Sequence, residues 1–180
     1  MRTKKFETAM AVVVLAMHGA PPLDFPKPEL VEFMSLKARL EHSSADEERA
    51  IRLRYQELEA KMRHWPRTVQ NDPFYSGSQD LARHLRRETG LEVVVGFNEF
   101  CGPTLDEAFD QAAGRGAEKI IVLTPMMTRG GAHSAVDIPA AIRAAQQRHP
   151  QKKFIYAWPF ASEDIAAFLA SQVARFLKTS

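Results

Sequence analysis

The chain has 180 residues, of which 45% are hydrophobic and 26% charged, and its formal net charge is +2 at pH 7. This composition is typical of a single globular domain, and the charge is too small to favour nucleic acid or an anionic membrane surface as a partner. Cys101 is the only cysteine, so an intrachain disulfide and a cysteine-rich zinc site are excluded and a reducing, cytoplasmic location is favoured.

The N-terminal stretch has a pattern that two kinds of segment share. Arg2, Lys4 and Lys5 precede an apolar run at 10–17, as basic residues do in a secretory leader. Glu7 interrupts the approach and the run ends in His-Gly, so we favour a buried first strand over a leader. The sequence has no run of 18 apolar residues, so no transmembrane helix is expected.

Four short runs rich in β-branched and aromatic residues predict the strands of one sheet. The first and the third are continuous apolar runs, which is typical of strands covered on both faces in a parallel sheet. The four runs are 11–16, 91–97, 119–124 and 153–157.

Helical segments follow the last three predicted strands. The segment 104–114 has Thr104 as its N-cap, Glu107 in the capping-box position and Gly114 at its end. Two further amphipathic helices are predicted at 138–148 and 162–178. Strands that alternate with helices pair in parallel through crossovers. The predicted fold class is therefore α/β, with a four-stranded parallel sheet between two helical layers.

The stretch between the first two strands is longer than one crossover requires. We predict two charged amphipathic helices, at 29–42 and 45–64, then a link at 65–78 and a crossover helix at 79–89. We interpret 26–72 as a helical insertion within a single domain that covers the whole chain. Such an insertion serves as a lid, a dimer contact or both.

Three polar side chains follow three of the predicted strands. His18 comes after the first strand, Glu99 after the second and His133 after the third. In an open parallel sheet, ligands bind beyond the carboxyl ends of the strands. Two imidazoles and a carboxylate can hold a divalent first-row metal and leave positions open for exchange. Each residue alone has an ordinary explanation, as a hydrogen-bonded loop histidine, a solvated acid or a helix start, but their joint placement favours a shared metal site.

Apolar residues follow the third and fourth strands at the same edge of the sheet. Met126, Met127 and the run 158–160 are interpreted either as core or as the wall of a cleft for a flat apolar macrocycle. Arg129 is placed to pair with carboxylates of such a ligand. Cys101 is a soft ligand or a buried thiol. The remaining histidines are predicted to be exposed; they are His42, His64, His84 and His149. The first strand is not followed by a Gly-x-Gly-x-x-Gly pattern, which disfavours a phosphate or nucleotide binder.

Three stretches that carry these residues resemble the class II chelatases, which include the CbiX-type sirohydrochlorin cobaltochelatases and the sirohydrochlorin ferrochelatases. The most specific is 116–139 (GAEKIIVLTPMMTRGGAHSAVDIP), and the others are 16–19 and 96–108. The resemblance implies a chelatase-like three-layer fold, of which longer members hold two halves in one chain. It further implies that a chain with one half forms a homodimer to complete the cleft.

The resemblance implies a lyase that inserts Co²⁺, Fe²⁺ or Ni²⁺ into a sirohydrochlorin-type tetrapyrrole, in cobalamin or siroheme biosynthesis, without an organic cofactor. His18 and His133 would hold and hand over the metal, and Glu99 would attract the cation and accept a proton. The alternative is a non-catalytic tetrapyrrole or metal carrier on the same fold. The sequence departs from the family at 21–22 (Pro-Pro) and in the insertion, and 75–126 is also similar to protoporphyrin ferrochelatases.

Overall fold

A computed structural model describes residues 11–40 and 45–177 of the chain. Its four strands form one sheet in the order β2-β1-β3-β4, and every neighbouring pair is parallel. This arrangement confirms the predicted α/β class and all four predicted strands, whose ends shift by one residue or less. The strands are β1 (Ala11–Met17), β2 (Glu92–Phe97), β3 (Lys119–Leu123) and β4 (Lys153–Tyr156).

Six α-helices accompany the sheet within the described residues. Two of them lie between β1 and β2 as predicted, pack against each other and are followed by a third, the crossover helix. Residues 41 and 42, which end the first predicted helix, and Lys178, which ends the last, lie outside the described part of the chain. The helices are α1 (Lys27–Leu40), α2 (Ala45–Arg63), α3 (Pro73–Thr89), α4 (Leu105–Ala113), α5 (Ile138–Arg148) and α6 (Ser162–Leu177).

The start of α3 differs from the sequence prediction. The prediction placed it at residue 79 and treated Pro73 as part of a link, but the helix begins at Pro73. The Asp72 carboxylate accepts a hydrogen bond from the backbone N–H of Tyr75 at 2.8 Å and so acts as the N-cap. Proline is well suited to the first helical position, where its missing N–H is not needed. The predicted capping box of α4, between Thr104 and Glu107, is confirmed.

The core lies on both faces of the sheet because successive residues of each strand point to opposite sides. Val13 and Leu15 of β1 belong to the cluster that α1, α2 and α3 cover. Val12 and Val14 belong to the cluster under α4 and α5. The central strand is therefore buried on both faces, as its continuous apolar run predicts.

The C-terminal helix α6 does not contribute to either core cluster. No residue of this helix is buried, although its large apolar residues recur at helical spacing. The side chains of Phe168, Leu169, Val173, Phe176 and Leu177 are between 51% and 75% exposed. None of the helices among residues 11–40 and 45–177 is long and apolar enough to cross a membrane.

Candidate metal centre

The structure brings together the three side chains that the sequence analysis predicted as metal ligands. His18, Glu99 and His133 each offer a ligand atom, and these atoms lie within 4.8 Å of one another. All three side chains are half-buried, and the two imidazole rings meet edge to face with their centroids 4.5 Å apart. Two nitrogens and an oxygen at this spacing can share one divalent cation. Their role as metal ligands stays a prediction.

Backbone pairing beyond the strands holds His18 and Glu99 side by side. The N–H of Asn98 donates to Met17 O at 2.9 Å, and the N–H of Glu99 donates to His18 O at 2.8 Å. The approach is so close that a Cβ on Gly19 would lie 1.9 Å from the carbonyl oxygen of Glu99. Gly19 also has φ +99°, which a side chain disfavours. Glycine is therefore required where the first strand leads into the site.

The loop after β2 turns sharply directly behind Glu99. The N–H of Cys101 donates to Glu99 O at 2.6 Å, and the intervening Phe100 has φ +60°. An i to i+2 hydrogen bond around a residue with positive φ is a classic-type γ-turn, a rare and strained conformation that clusters at functional sites. The turn places the Glu99 side chain at the metal centre, while the Phe100 ring is buried beneath it.

Hydrogen bonds fix the tautomer of both histidines. His18 Nδ1 lies 2.7 Å from the carbonyl oxygen of Gly19, and His133 Nδ1 lies 2.6 Å from a carboxylate oxygen of Asp137. A carbonyl and a carboxylate only accept, so these two contacts are hydrogen bonds when each Nδ1 carries the hydrogen. Each Nε2 is then left with a free lone pair, and a carboxylate behind a histidine is a common second partner in metal sites.

A one-turn π-helix, His133–Asp137, sets the geometry of the His133–Asp137 pair at the start of α5. π-Helical turns are rare in proteins overall, and those that occur are often found at functional sites. The amide of Asn98 contacts His133 Nδ1 and lies 3.4 Å from the Asp137 carboxylate. The loop after β2 and the loop after β3 are thereby joined at the metal centre.

Two arginines, one at the end of α2 and one just after it, bind the backbone of the site loops. Arg67 donates to the carbonyl oxygens of Ala20 at 2.9 Å and Phe100 at 2.7 Å. Arg63 donates to the carbonyl oxygens of Cys101 at 2.7 Å and Asn98 at 3.2 Å. The region predicted as an insertion is therefore part of the support of the site. Arg67 also forms a buried ion pair with Asp72, at 2.5 Å.

Cys101 is not one of the three side chains that could hold a metal ion. Its thiol is fully buried and lies 3.5 Å from Ala20 O and 3.6 Å from an Asp72 carboxylate oxygen. Burial, which is the largest effect, raises the pKa of Cys101. The thiol thus stays protonated, which disfavours the soft-ligand interpretation.

The other residues predicted at this edge have mixed placements. Met126, Met127 and Trp158 are half-buried, and the Trp158 indole N–H donates to Met126 O at 3.0 Å. Arg129 is exposed, so its predicted pairing with a ligand carboxylate stays a prediction. A separate groove of about 640 Å³ lies between the end of α2 and α4, and its lining residues, which include Arg63 and Gly102, do not include the three predicted metal ligands.

The histidines away from the metal centre agree with the sequence analysis except for one. His64 and His84 are exposed as predicted, and His42 lies outside the described residues. The prediction that His149 is exposed is wrong: its side chain is 23% exposed and its Nε2 lies 2.7 Å from an Asp110 carboxylate oxygen. This contact joins the end of α5 to α4, and helix packing rather than local sequence creates it.

Sequence reasoning missed the residues that support the predicted ligands. Asp137 carried a usable signal, since it follows His133 by four residues on a helical segment. Arg67 and Lys37 carried none. Lys37 of α1 contacts Glu99, 62 residues away, with Nζ 2.5 Å from Oε1. Contacts of that kind depend on how the hairpin docks.

Comparisons with known proteins identify relatives of this chain. The CbiX family model matches residues 71–175, which include Glu99 and His133 but not His18. A sirohydrochlorin cobaltochelatase and a sirohydrochlorin ferrochelatase, both from Priestia megaterium, are 33% identical over 72 residues and 31% identical over 70 residues. These alignments cover 40% and 39% of this chain and 23% and 26% of the relatives. The chain thus spans about a quarter of the length of these two relatives.

The fold itself is shared with a solved structure, that of a cobalamin (vitamin B12) biosynthesis CbiX protein from Marinobacter aquaeolei VT8. The two structures superpose with a TM-score of 0.55, over 94% of this chain and 99% of that one, at 16% sequence identity. At this identity the likeness shows the fold alone. The family match, by contrast, extends over more than half of the 180 residues. The chain belongs to the CbiX family.

Proposed function

We propose that this protein is a metallochelatase that inserts a divalent metal into a sirohydrochlorin-type tetrapyrrole. The observation that carries the proposal is the convergence of His18, Glu99 and His133, whose ligand atoms lie within 4.8 Å of one another. The activities named for the two Priestia megaterium relatives support the choice of reaction. Cobalt and iron are the metals in those names, and nickel is a further candidate because an N/O ligand set does not exclude it.

The site residues supply the two properties that metal insertion requires, which are reversible metal binding and acceptance of protons. Insertion consumes one M²⁺ and one free-base macrocycle and releases two pyrrole protons. Both imidazoles hold Nδ1–H in hydrogen bonds, so both Nε2 atoms can bind the cation. Three protein ligands leave coordination positions open for the incoming pyrrole nitrogens.

Proton transfer follows from the same groups once the metal moves to the macrocycle. One Nε2 that gives up the cation accepts the first proton, and at His133 the Asp137 carboxylate stabilises the imidazolium that forms. Glu99 is the second proton acceptor. No electron changes hands in this reaction, so we propose that no organic cofactor takes part.

The test is anaerobic incubation of the purified protein with sirohydrochlorin and Co²⁺ or Fe²⁺, followed through the absorption spectrum of the tetrapyrrole. We expect faster conversion than in the protein-free control, and loss of that acceleration in His18→Ala and in His133→Ala. His84→Ala is the matched control, because His84 is exposed and its ring contacts Arg87 away from the site. Binding of the tetrapyrrole without acceleration would support a carrier and contradict the enzyme.

We also propose that two copies of the chain associate to complete the cleft. The apolar stripe of α6 supports this proposal, with Phe168 51% and Phe176 75% exposed. Ile155 on the edge strand β4 is also exposed, at 36%. A twofold dimer covers both surfaces at once if α6 of each copy packs against the sheet edge of the other.

Light scattering coupled to size-exclusion chromatography tests the dimer. We expect the mass of a dimer for the wild-type chain and of a monomer for Phe168→Glu and Phe176→Glu. Phe74→Glu is the control, since Phe74 is 40% exposed on α3 and away from this surface. A monomeric wild-type chain would contradict the proposal.

The single, buried and free Cys101 supports the further proposal that the protein works in the reducing cytoplasm.

A further inference from the structure

We propose that Lys37 occupies the metal site in place of the cation, by neutralising Glu99 while the site is empty and returning to it as the metal leaves. The inference rests on the proposed metal site. It assigns to the hairpin α1–α2 a role in the chemistry of that site, through one positioning residue.

The packing of α1 directs Lys37 at Glu99. Phe33 of α1 is buried and packs edge to face against Phe100, with the ring centroids 6.1 Å apart. Phe33 also stacks on Tyr55 of α2, at 4.8 Å. Lys37 follows Phe33 by four residues and therefore lies on the same face of the helix, one turn on.

The ammonium of Lys37 lies against the carboxylate of the predicted ligand Glu99. Its Nζ is 2.5 Å from Glu99 Oε1 and 6.0 Å from the centroid of the Phe100 ring. Exposure of the two side chains is 35% for Lys37 and 20% for Glu99, so water screens this pair less than an ion pair on the open surface. The only acidic group among the three predicted ligands is thus already paired with a cation that the chain supplies.

A divalent metal must compete with this ammonium. If Lys37 stays, the ammonium and the divalent metal share one carboxylate. If Lys37 leaves, its ion pair with Glu99 is broken. In either case the binding free energy of the metal becomes less favourable. A chelatase benefits from that competition because it must release its metal to the macrocycle. Once the cation has departed and Glu99 has passed its proton to solvent, re-formation of the Lys37–Glu99 pair prevents a bare carboxylate in a half-buried site, and this favours transfer over retention.

The test is titration of the full chain with Co²⁺ alone at pH 7.5, followed by calorimetry and by the visible absorption of the bound ion. We expect Lys37→Met to bind Co²⁺ about tenfold more tightly than the wild type, because one positive charge at contact distance from the ligand oxygen is gone. Lys37→Arg, which keeps the charge, should stay within about twofold of the wild type. Lys37→Gln serves as a second neutral variant if Lys37→Met does not fold.

Two controls separate this competition from a general effect of removing a lysine. Lys61→Met removes a hairpin lysine that pairs with Glu29 at 2.7 Å and should leave the Co²⁺ affinity unchanged. In a Glu99→Gln background, Lys37→Met should change the affinity by less than about twofold, because Lys37 has lost the partner that holds it at the site.

Unchanged or weaker Co²⁺ binding by both neutral variants would overturn the inference, since Lys37 would then only support the shape of the site. Equal tightening in the Glu99→Gln background would overturn it as well. If the wild-type chain binds no Co²⁺, the metal site itself is refuted, and the proposed function and this inference fail together. If the wild-type chain binds Co²⁺ and the neutral Lys37 variants have the same affinity, the inference is refuted and the proposed function stands.

Discussion

Substitution of Arg67 by methionine is expected to destabilise the fold and to loosen the loops that carry the candidate metal centre. The Arg67 side chain is 6% exposed and its partner Asp72 is 1% exposed. The guanidinium donates to Asp72 Oδ2 at 2.5 Å and to the carbonyl oxygens of Ala20, Met62 and Phe100 at 2.9, 2.7 and 2.7 Å. Arg67 therefore joins the end of α2 to the loops after β1 and β2 and to the N-cap of α3.

The magnitude follows from what remains after the substitution. A methionine fills similar space but leaves the Asp72 carboxylate without its cation, and three carbonyl oxygens lose a donor. Removal of one partner of a buried ion pair costs about 3–5 kcal/mol. Asp72 still accepts hydrogen bonds from the Tyr75 N–H and the Cys101 thiol, so we expect the lower end, about 3 kcal/mol. For a chain of this size that lowers Tm by roughly 6–12 °C.

Urea denaturation followed by circular dichroism measures this loss, with thermal unfolding as a second readout. Arg83→Met is the matched control, because Arg83 is 72% exposed and pairs with Asp80 on the surface. Its expected cost is below about 1 kcal/mol. A loss below about 1 kcal/mol for Arg67→Met, equal to that of the control, would refute the conclusion that this pair holds the loops together.

Three further substitutions test the support of the metal centre. Asp137→Asn should weaken Co²⁺ binding by about tenfold to a hundredfold, since the carboxylate that orients His133 is lost; titration measures it, and unchanged affinity would contradict it. Gly19→Ala should abolish Co²⁺ binding and lower Tm, because its Cβ would lie 1.9 Å from Glu99 O; Gly77→Ala, with nothing within 4 Å of its Cβ, should not. Tyr156→Phe removes a hydrogen bond to Ser134 O of 2.9 Å and should cost about 1 kcal/mol at pH 7. Burial raises the pKa of Tyr156 to about 12, above its unfolded value of about 10. The stability that the Tyr156 hydroxyl contributes should therefore be complete below pH 10 and lost as the pH rises towards 12. A difference in unfolding free energy between wild type and Tyr156→Phe that stays constant over that range would contradict this.

The sheet and the proximity of the three candidate ligands could be predicted because the strands have a local sequence pattern and each candidate ligand follows one of them. A continuous apolar run such as 11–16 is typical of a strand buried on both faces, and the order of strands and helices then fixes a parallel sheet. The carboxyl ends of parallel strands meet at one edge. The strand order therefore predicted that His18, Glu99 and His133 lie at the same edge of the sheet.

The supporting residues could not be predicted because their partners are distant in sequence. Lys37 and Glu99 are 62 residues apart, and Arg67 and Phe100 are 33 apart. Their contacts depend on how the hairpin α1–α2 docks on the rest of the domain. The amphipathic pattern of its charged helices does not specify that orientation. The start of α3 was missed for a different reason: Pro73 reads equally as a helix breaker and as a first helical residue, and only the Asp72 cap decides between them.

Anomalous diffraction from a crystal of the full chain soaked with Co²⁺ tests most directly that these three side chains hold the metal. The account predicts one strong cobalt peak bonded to Nε2 of His18, Nε2 of His133 and a carboxylate oxygen of Glu99, with Lys37 Nζ displaced from that carboxylate. A peak at other residues, or a cobalt ion that leaves any of the three uncoordinated, would contradict it.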